Sequence, residues 1–312
     1  MNPFGTLGFY MERLPDECSY SFLCRCAVRI PNVSSNRVIS ALFGKQHLLS
    51  QYVFKAFRTM DIQRWFGNDP KWSRESFMTG NSCMPYCSIM FSDKYLSIFL
   101  DSIERKPVLH RVEEMQVTRA SGFNAFRYKR LRYCPACAVN DLKTYGEQYW
   151  HRLPQLPGIM VCPEHGLEIM ESDYDFRYIA HRFVPASYAI RIPKQYASTI
   201  PSSFIDKYVR IADDTRWLLK NGLKLRKAMD TLISKKDGHS PDSKPINEIA
   251  ENRIHCDFDE EFLMHLYDKT AYLTEPGNLQ RDWLFSIRHP LLYLVEIETQ
   301  YGSVQAFFKS LQ

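Results

Sequence analysis

Two short stretches, Cys134-Pro135-Ala136-Cys137 and Cys162-Pro163-Glu164-His165, decide how this chain is read. Each can hold half of a tetrahedral metal site. A C-x₂-C turn aims two thiolates at one ion, and C-x₂-H does the same for a thiolate and an imidazole. Three cysteines and one histidine are among the common structural zinc sets. The proline after the first cysteine of each pair fixes φ and stiffens the turn. The bland alternatives are buried inert thiols or a disulfide. A catalytic zinc keeps three protein ligands and an open position for water. Four good ligands, Cys134, Cys137, Cys162 and His165, therefore predict one closed structural Zn²⁺ whose binding contributes to folding.

Working outward, the chain has 312 residues, 45% of them hydrophobic, enough for two domains with cores. Eighteen Tyr and 20 Phe argue against long disorder. A net charge of +5 permits nucleic-acid contact without requiring it. The first ten residues do not read as a signal peptide, and no apolar run reaches the ~18 residues that span a bilayer. The expectation is a soluble protein of a reducing bacterial cytoplasm with no membrane partner, where thiols stay free or bind metal. Six further cysteines remain of the nine: Cys18, Cys24, Cys26, Cys83, Cys87 and Cys256. Cys24-x-Cys26 and Cys83-x₃-Cys87 lack the two-residue gap and read as core thiols.

The organisation is mainly α with a small zinc-ribbon β module. An N-terminal helix-turn-helix-like region is expected over 1–118, a zinc-ribbon module over 119–200 and a C-terminal helical domain over 201–312. Pro15-Asp16-Glu17 suits a first helical turn. Cys18, Phe22, Cys26 and Ile30 continue it as an apolar stripe until Pro31-Asn32. Ser34 or Ser35 can cap a second helix through Val38, Ile39, Leu42 and Phe43, stopped by Gly44. Residues 46–118 read as mostly helical, with breaks at 67–70, 80–81 and 107, and 83–91 as a buried crossing. Residues 201–234 read as one long helix or two, with Lys220, Lys224, Arg226 and Lys227 as its solvated face. Ser234 to Pro245 is the best linker candidate. Helices are expected near 246–254, 259–272 and 278–310.

Residues 119–133 interleave Arg119, Arg127, Lys129, Arg130 and Arg132 with Phe123, Phe126, Tyr128 and Tyr133. Such a mixture can meet phosphates and bases, and Arg119, Arg127, Lys129 and Arg130 are the candidate nucleic-acid contacts. The same residues could equally form a strand of the zinc module with a charged edge. His151 and His181 read as ordinary polar histidines, because the metal set is complete without them.

Three blocks together resemble the TniQ/TnsD family closely. They are Arg132-Tyr133-Cys134-Pro135-Ala136-Cys137, Tyr145-Gly146-Glu147-Gln148-Tyr149-Trp150-His151-Arg152, and Leu156-Pro157-Gly158 with Cys162-Pro163-Glu164-His165-Gly166. Leu14 to Ala27, Ile39 to Gly44, and Trp283, Leu284 and Arg288 are similar more loosely, so that the resemblance spans most of 12–300. It implies a non-catalytic target-selection protein of a cut-and-paste DNA transposon. Such a protein couples a target marker to an AAA+ ATPase transposition regulator, TnsC-like, which recruits the transposase. In one branch the marker is an RNA-guided CRISPR effector complex, bound by a protein that is often a dimer, and the guide reads sequence. In the TnsD branch the protein reads attachment-site DNA itself.

Two departures bear on the branch. No cysteine falls in 167–200, so no second zinc ribbon is expected there. Long attachment-site readers continue well past the position of Gln312, which favours the effector-bound adapter. Zinc-ligand roles carry over only onto Cys134, Cys137, Cys162 and His165. Other classes fit less well. A zinc-ribbon transcriptional regulator would not need these blocks together. A zinc hydrolase or nuclease would need an H-E-x-x-H or similar set, and the acids Asp257, Asp259, Glu260 and Glu261 suit a helix start. There is no G-x₄-G-K-S/T loop, so nucleotide chemistry belongs to a partner. The zinc module is expected to act as a rigid hub orienting the N- and C-terminal lobes.

Overall fold

The computed structural model describes residues 11–30, 34–43, 49–67, 69–91, 128–237 and 290–310, with 93, 96, 97, 100, 101, 258 and 262. The described residues are mainly helical, with a two-stranded sheet. The chain forms two compact units, one of residues 1–84, 128–156 and 167–198, the other of residues 85–127, 157–166 and 199–312. No helix among the described residues is long and apolar enough to cross a membrane.

The first unit holds both helices of the N-terminal pair, α1 (Ser19–Val28) and α2 (Ser35–Phe43). Pro15-Asp16-Glu17 is not the first turn of α1. Asp16 sits at φ +55 and Cys18 is the N-cap, its Sγ accepting from Ser21 N at 3.4 Å. The two carboxylates are used elsewhere. Asp16 accepts from Arg152 Nε at 3.0 Å and from Leu153 N at 3.1 Å, and Glu17 accepts from Arg25 at 2.8 Å. The positive φ of Asp16 takes the backbone off the right-handed helical path ahead of the Cys18 cap. Glu17 is fully buried, and that burial pushes its carboxyl up against the lowering pull of Arg25.

Helices α3 (Thr59–Phe66) and α4 (Arg74–Gly80) complete this layer, and the breaks expected at 67–70 and 80–81 fall at their ends. The high aromatic content is spent here. Phe22, Phe57, Trp65, Trp72 and Phe77 are all buried, and their rings, with Phe66, meet at centroid separations of 4.4–6.3 Å. Offset and edge contacts of this kind add to what area burial alone supplies. Residues 83–89 and Phe91 are buried as expected, in helical turns that include α5 (Met84–Cys87).

Strands β1 (Arg130–Tyr133) and β2 (Met170–Asp175) pair antiparallel, with Arg132 opposite Glu171 and Tyr133 opposite Met170. Helix α6 (Pro135–Tyr145) follows β1 directly, and the short α7 (Ala186–Ala189) follows β2. The segment after α6 is locked into the unit's interior. Trp150 Nε1 donates to Val184 O at 2.8 Å, Trp150 N to Ser21 Oγ at 2.9 Å, and Cys18 N to Trp150 O at 3.0 Å. Arg152 Nη1 donates to Thr79 O and Ser82 O at 2.8 and 2.9 Å. Gln155 exchanges both amide groups with the backbone of Arg132, at 3.1 and 2.7 Å.

The second unit is organised by α8 (Ser202–Asp237), one 36-residue helix rather than two. It runs through Ser234 to Asp237, the opening of the linker candidate, where Ser and Lys are tolerated on a helix surface; the rest of that linker lies outside the described residues. Arg226 is not on the solvated face. It is buried, donating to Phe91 O at 2.9 Å and pairing with Asp93. Gly222 allows the crossing of residues 85–91, since a Cβ there would fall 1.9 Å from Pro85 O. The helix expected over 278–310 is, where described, two: α9 (Pro290–Tyr301) and α10 (Val304–Ser310). Ser303 breaks it by capping Ala306 N at 3.0 Å. The calls on Pro31-Asn32, Gly44, Pro107, 246–254, Cys256, Asp257, Asp259, Glu260, Glu261, Trp283, Leu284 and Arg288 lie outside the described residues, as does 259–272 apart from Phe262.

Asp214 ties α8 to the start of α10, its Oδ2 accepting from Val304 N at 2.6 Å. Glu298 on α9 lies beside it, its side chain 8% exposed, with Arg210 at 3.7 Å. Burial, then the nearby Asp214 charge, lifts the Glu298 carboxyl from 4.5 to about 7. The folded protein thus holds this proton more tightly than the unfolded chain does. The resulting stability is complete below the unfolded value and is lost as pH rises through about 7. The urea midpoint is expected to fall between about pH 5.5 and about pH 8, and Glu298→Gln should reduce that fall; an unchanged slope in the variant contradicts the assignment.

Candidate metal centre

The first half-site is built by the β1–α6 junction. Cys134 follows the strand at φ −92, ψ 126 and is the N-cap residue of α6, with Pro135 in the first turn and Cys137 two residues further in. Pro135 has no N–H to leave unsatisfied at that position. Ala138 N donates to Cys134 O at 3.0 Å, which closes the turn. Gly146, in the left-handed region at φ +74, ends α6, its N–H bonding Leu142 O at 3.1 Å.

The second half-site is a single tight turn. His165 N and Gly166 N both reach Cys162 O, at 3.3 and 2.8 Å. Gly166 sits at φ +62, a conformation that costs an L-residue about 1 kcal/mol or more. The glycine of Cys162-Pro163-Glu164-His165-Gly166 is there for its backbone, and the turn folds Cys162 and His165 onto one side.

The ligand atoms of Cys134, Cys137, Cys162 and His165 all lie within 4.8 Å of one another. Cys162 Sγ is 3.4 Å from His165 Nδ1. Bond lengths of about 2.3 Å to sulfur and 2.0–2.1 Å to nitrogen at a tetrahedral angle place such atoms roughly 3.5 Å apart. Cys134 and Cys162 are buried, Cys137 and His165 half-buried, and all three thiols are free rather than disulfide-bonded. The donor set therefore fits a metal ion that prefers soft tetrahedral ligation, and the four residues would hold it in a closed shell.

The other thiols behave differently. Cys18, Cys24, Cys26 and Cys87 are buried, and that burial pushes each well up, away from the thiolate that a metal needs. Among the described residues this is the one cluster of three or more Cys, His, Asp or Glu side chains able to hold an ion. His151 is turned to Asp141, Nε2 to Oδ2 at 2.9 Å, and stacks on Tyr149 at 4.2 Å.

The candidate nucleic-acid residues divide. Arg119 and Arg127 lie outside the described residues. Lys129 and Arg130 are exposed at the start of β1, with Arg130 opposite Asp175. Arg132 is not on that edge. It is buried, 3.5 Å from the ring centroid of Tyr128, and donates to Pro154 O at 3.1 Å. Burial lowers its guanidinium from the ordinary arginine range. Tyr128 and Tyr133 are also buried, so the basic–aromatic alternation is half a core pattern. The interior roles of Trp150 and Arg152 carried no sequence signal beyond the block that contains them, and Gln155 falls between two blocks with no signal of its own.

The profile of the TniQ family matches residues 9–169, a span that contains all four ligands and the Trp150–Gln155 segment. The chain belongs to the TniQ family. It is also similar to the transposon Tn7 transposition protein TnsD of Escherichia coli, 26% identical over 160 residues. That alignment covers 48% of this chain and 29% of TnsD, less than a third of that protein's length. The TniQ match ends at 169, so the looser resemblance at Trp283, Leu284 and Arg288 falls beyond it.

If the four ligands share one ion, Cys134→Ser and Cys162→Ser should each lower bound metal well below one per chain and depress the yield of folded protein. Metal analysis of the purified chain with a thermal melt checks this. Wild-type metal content, or an unchanged melt after metal loss, contradicts a structural ion.

Proposed function

We propose that this TniQ protein selects target sites for DNA transposition and is an adapter rather than a catalyst. The family match over residues 9–169 carries the reading. A closed shell of four ligands supports it, since no coordination position is left for an activated water. The ion we propose is Zn²⁺, and its chemistry is that of a cross-link. Cys134, Cys137, Cys162 and His165 would hold it, and Gly166 would let the second pair turn inward.

In this reading the protein works in the cytoplasm and joins a target marker to a TnsC-like AAA+ regulator that recruits the transposase. The marker proposed first is an RNA-guided CRISPR effector complex, with the adapter bound as a dimer. The inward turn of Arg132 supports that order, because it removes one cation from the stretch expected to meet DNA. The likeness to TnsD favours the second reading, direct recognition of attachment-site DNA, by the α1–α2 pair acting as a helix-turn-helix or by Lys129 and Arg130.

Co-purification separates the two. The adapter should be retained by an RNA-guided CRISPR effector complex and bind free duplex DNA weakly. A direct reader should shift one DNA site in a sequence-dependent way, with affinity falling steeply between about 0.05 and 0.2 M salt. A protein that neither retains an effector or AAA+ partner nor discriminates among DNA sites contradicts the targeting role.

A further inference from the structure

The family signature leaves unexplained a cavity of about 610 Å³ in the first unit, on the side of β2 and α7. Its wall is made by Tyr174, Tyr178, His181, Arg182 and Tyr188, with Ser35 among the residues opposite. No acidic side chain lines it among the described residues. The volume falls within the range of ordinary small-ligand clefts, about 300–1,000 Å³.

Three properties of this wall point to one kind of ligand. First, it offers flat faces. Tyr178 and Tyr188 are 45% and 61% exposed, although large aromatic rings are normally buried when nothing covers them. Tyr174 and Tyr178 stand with ring centroids 5.2 Å apart. Second, it offers a cation on the same wall. The Arg182 guanidinium lies 4.5 Å from the Tyr178 ring centroid, and the residue is exposed. Third, the wall is fixed in place. Tyr20, fully buried, donates to Arg182 O at 2.9 Å and accepts from Val184 N at 3.0 Å, and Val184 O takes the Trp150 indole N–H. A wall held from beneath loses little freedom when a ligand arrives.

Stacking faces beside an arginine match a planar base joined to a phosphate. We propose that this cavity binds a nucleotide of an unpaired nucleic-acid strand, the base on Tyr178 or Tyr188 and the phosphate on Arg182. Paired bases in a duplex do not offer their faces, so an unpaired strand is the occupant that uses the tyrosines. Serine hydroxyls at the start of α2 would complete the polar side. The inference adds a contact to the targeting reading without depending on which target marker is right.

The test is fluorescence anisotropy of the full chain with labelled strands of about 12 nucleotides. Single-stranded DNA, single-stranded RNA and duplex DNA are compared at fixed salt. The expected result is tighter binding of one or both single strands than of duplex. Tyr188→Ala and Arg182→Ala should each weaken it roughly fivefold or more, as loss of a stacking or phosphate contact does. Arg177→Ala, an exposed neighbour outside the cavity, should change it less than about twofold. The replaced groups are exposed, and unchanged melting temperatures verify that the variants fold.

Equal binding by wild type and the cavity variants overturns the proposal, as does duplex bound as tightly as single strands. Displacement of the strand by free deoxynucleoside monophosphate at matching concentration also overturns it, in favour of a small-molecule site. Loss of strand binding in Tyr188→Ala with partner co-purification intact shows that the two readings are separable. Strand binding by a chain that neither retains a transposition partner nor discriminates among DNA sites would sink the targeting reading alone.

Discussion

Arg152 is the constraint on which the first unit depends. Its guanidinium donates to Asp16 and to the carbonyls of Thr79 and Ser82, and the residue is 6% exposed. Three chain segments far apart in sequence converge on one planar cation. Such a group is costly to bury, and its fork of donors offsets that cost only when every arm is used. Trp150 and Leu153 on either side repeat the arrangement through Ser21, Val184 and Asp16. The block that is so distinctive in the sequence is therefore chiefly an internal clasp.

The same conclusion holds for Gln155 just beyond the block and for two signature glycines. Gln155 completes the backbone of Arg132, which continues into the Cys134 cap of α6. The clasp therefore runs on toward the first metal half-site along one strand. Gly146 and Gly166 are required by left-handed backbone at a helix end and in a knuckle. A sequence signature need not mark a reacting group. Here it marks residues that must each satisfy several buried partners, where few substitutes fit. What meets other molecules is then sought outside it, on surfaces such as the Tyr178–Tyr188 wall.

The metal set was legible because chemistry and spacing coincide: few patterns besides C-x₂-C and C-x₂-H bring four soft ligands together. The α1 and α2 helices were legible from apolar spacing, through Phe22, Cys26, Val38 and Leu42. The start of α1 was not, because Asp16 and Glu17 suit a helical first turn locally, whereas Asp16 is claimed by Arg152 from outside the helix and Glu17 by Arg25 within it. Arg226 and Arg132 were misplaced for a related reason. A cation reads as surface until a buried carbonyl or ring appears beside it, and Phe91 O and Tyr128 have no local signal. Helix α8 was one element rather than two because α-helical propensity persists through its lysines.

The most direct test of the clasp is a double-mutant cycle of unfolding free energies for wild type, Asp16→Ala, Arg152→Ala and the double variant. Removing Arg152 leaves the carbonyls of Thr79 and Ser82 and the Asp16 carboxylate without this partner, so a loss of about 3–5 kcal/mol is expected. The two sites should couple by about 0.5–3 kcal/mol. Single variants as stable as wild type, with strictly additive effects, would contradict the claim that this signature segment holds the unit together.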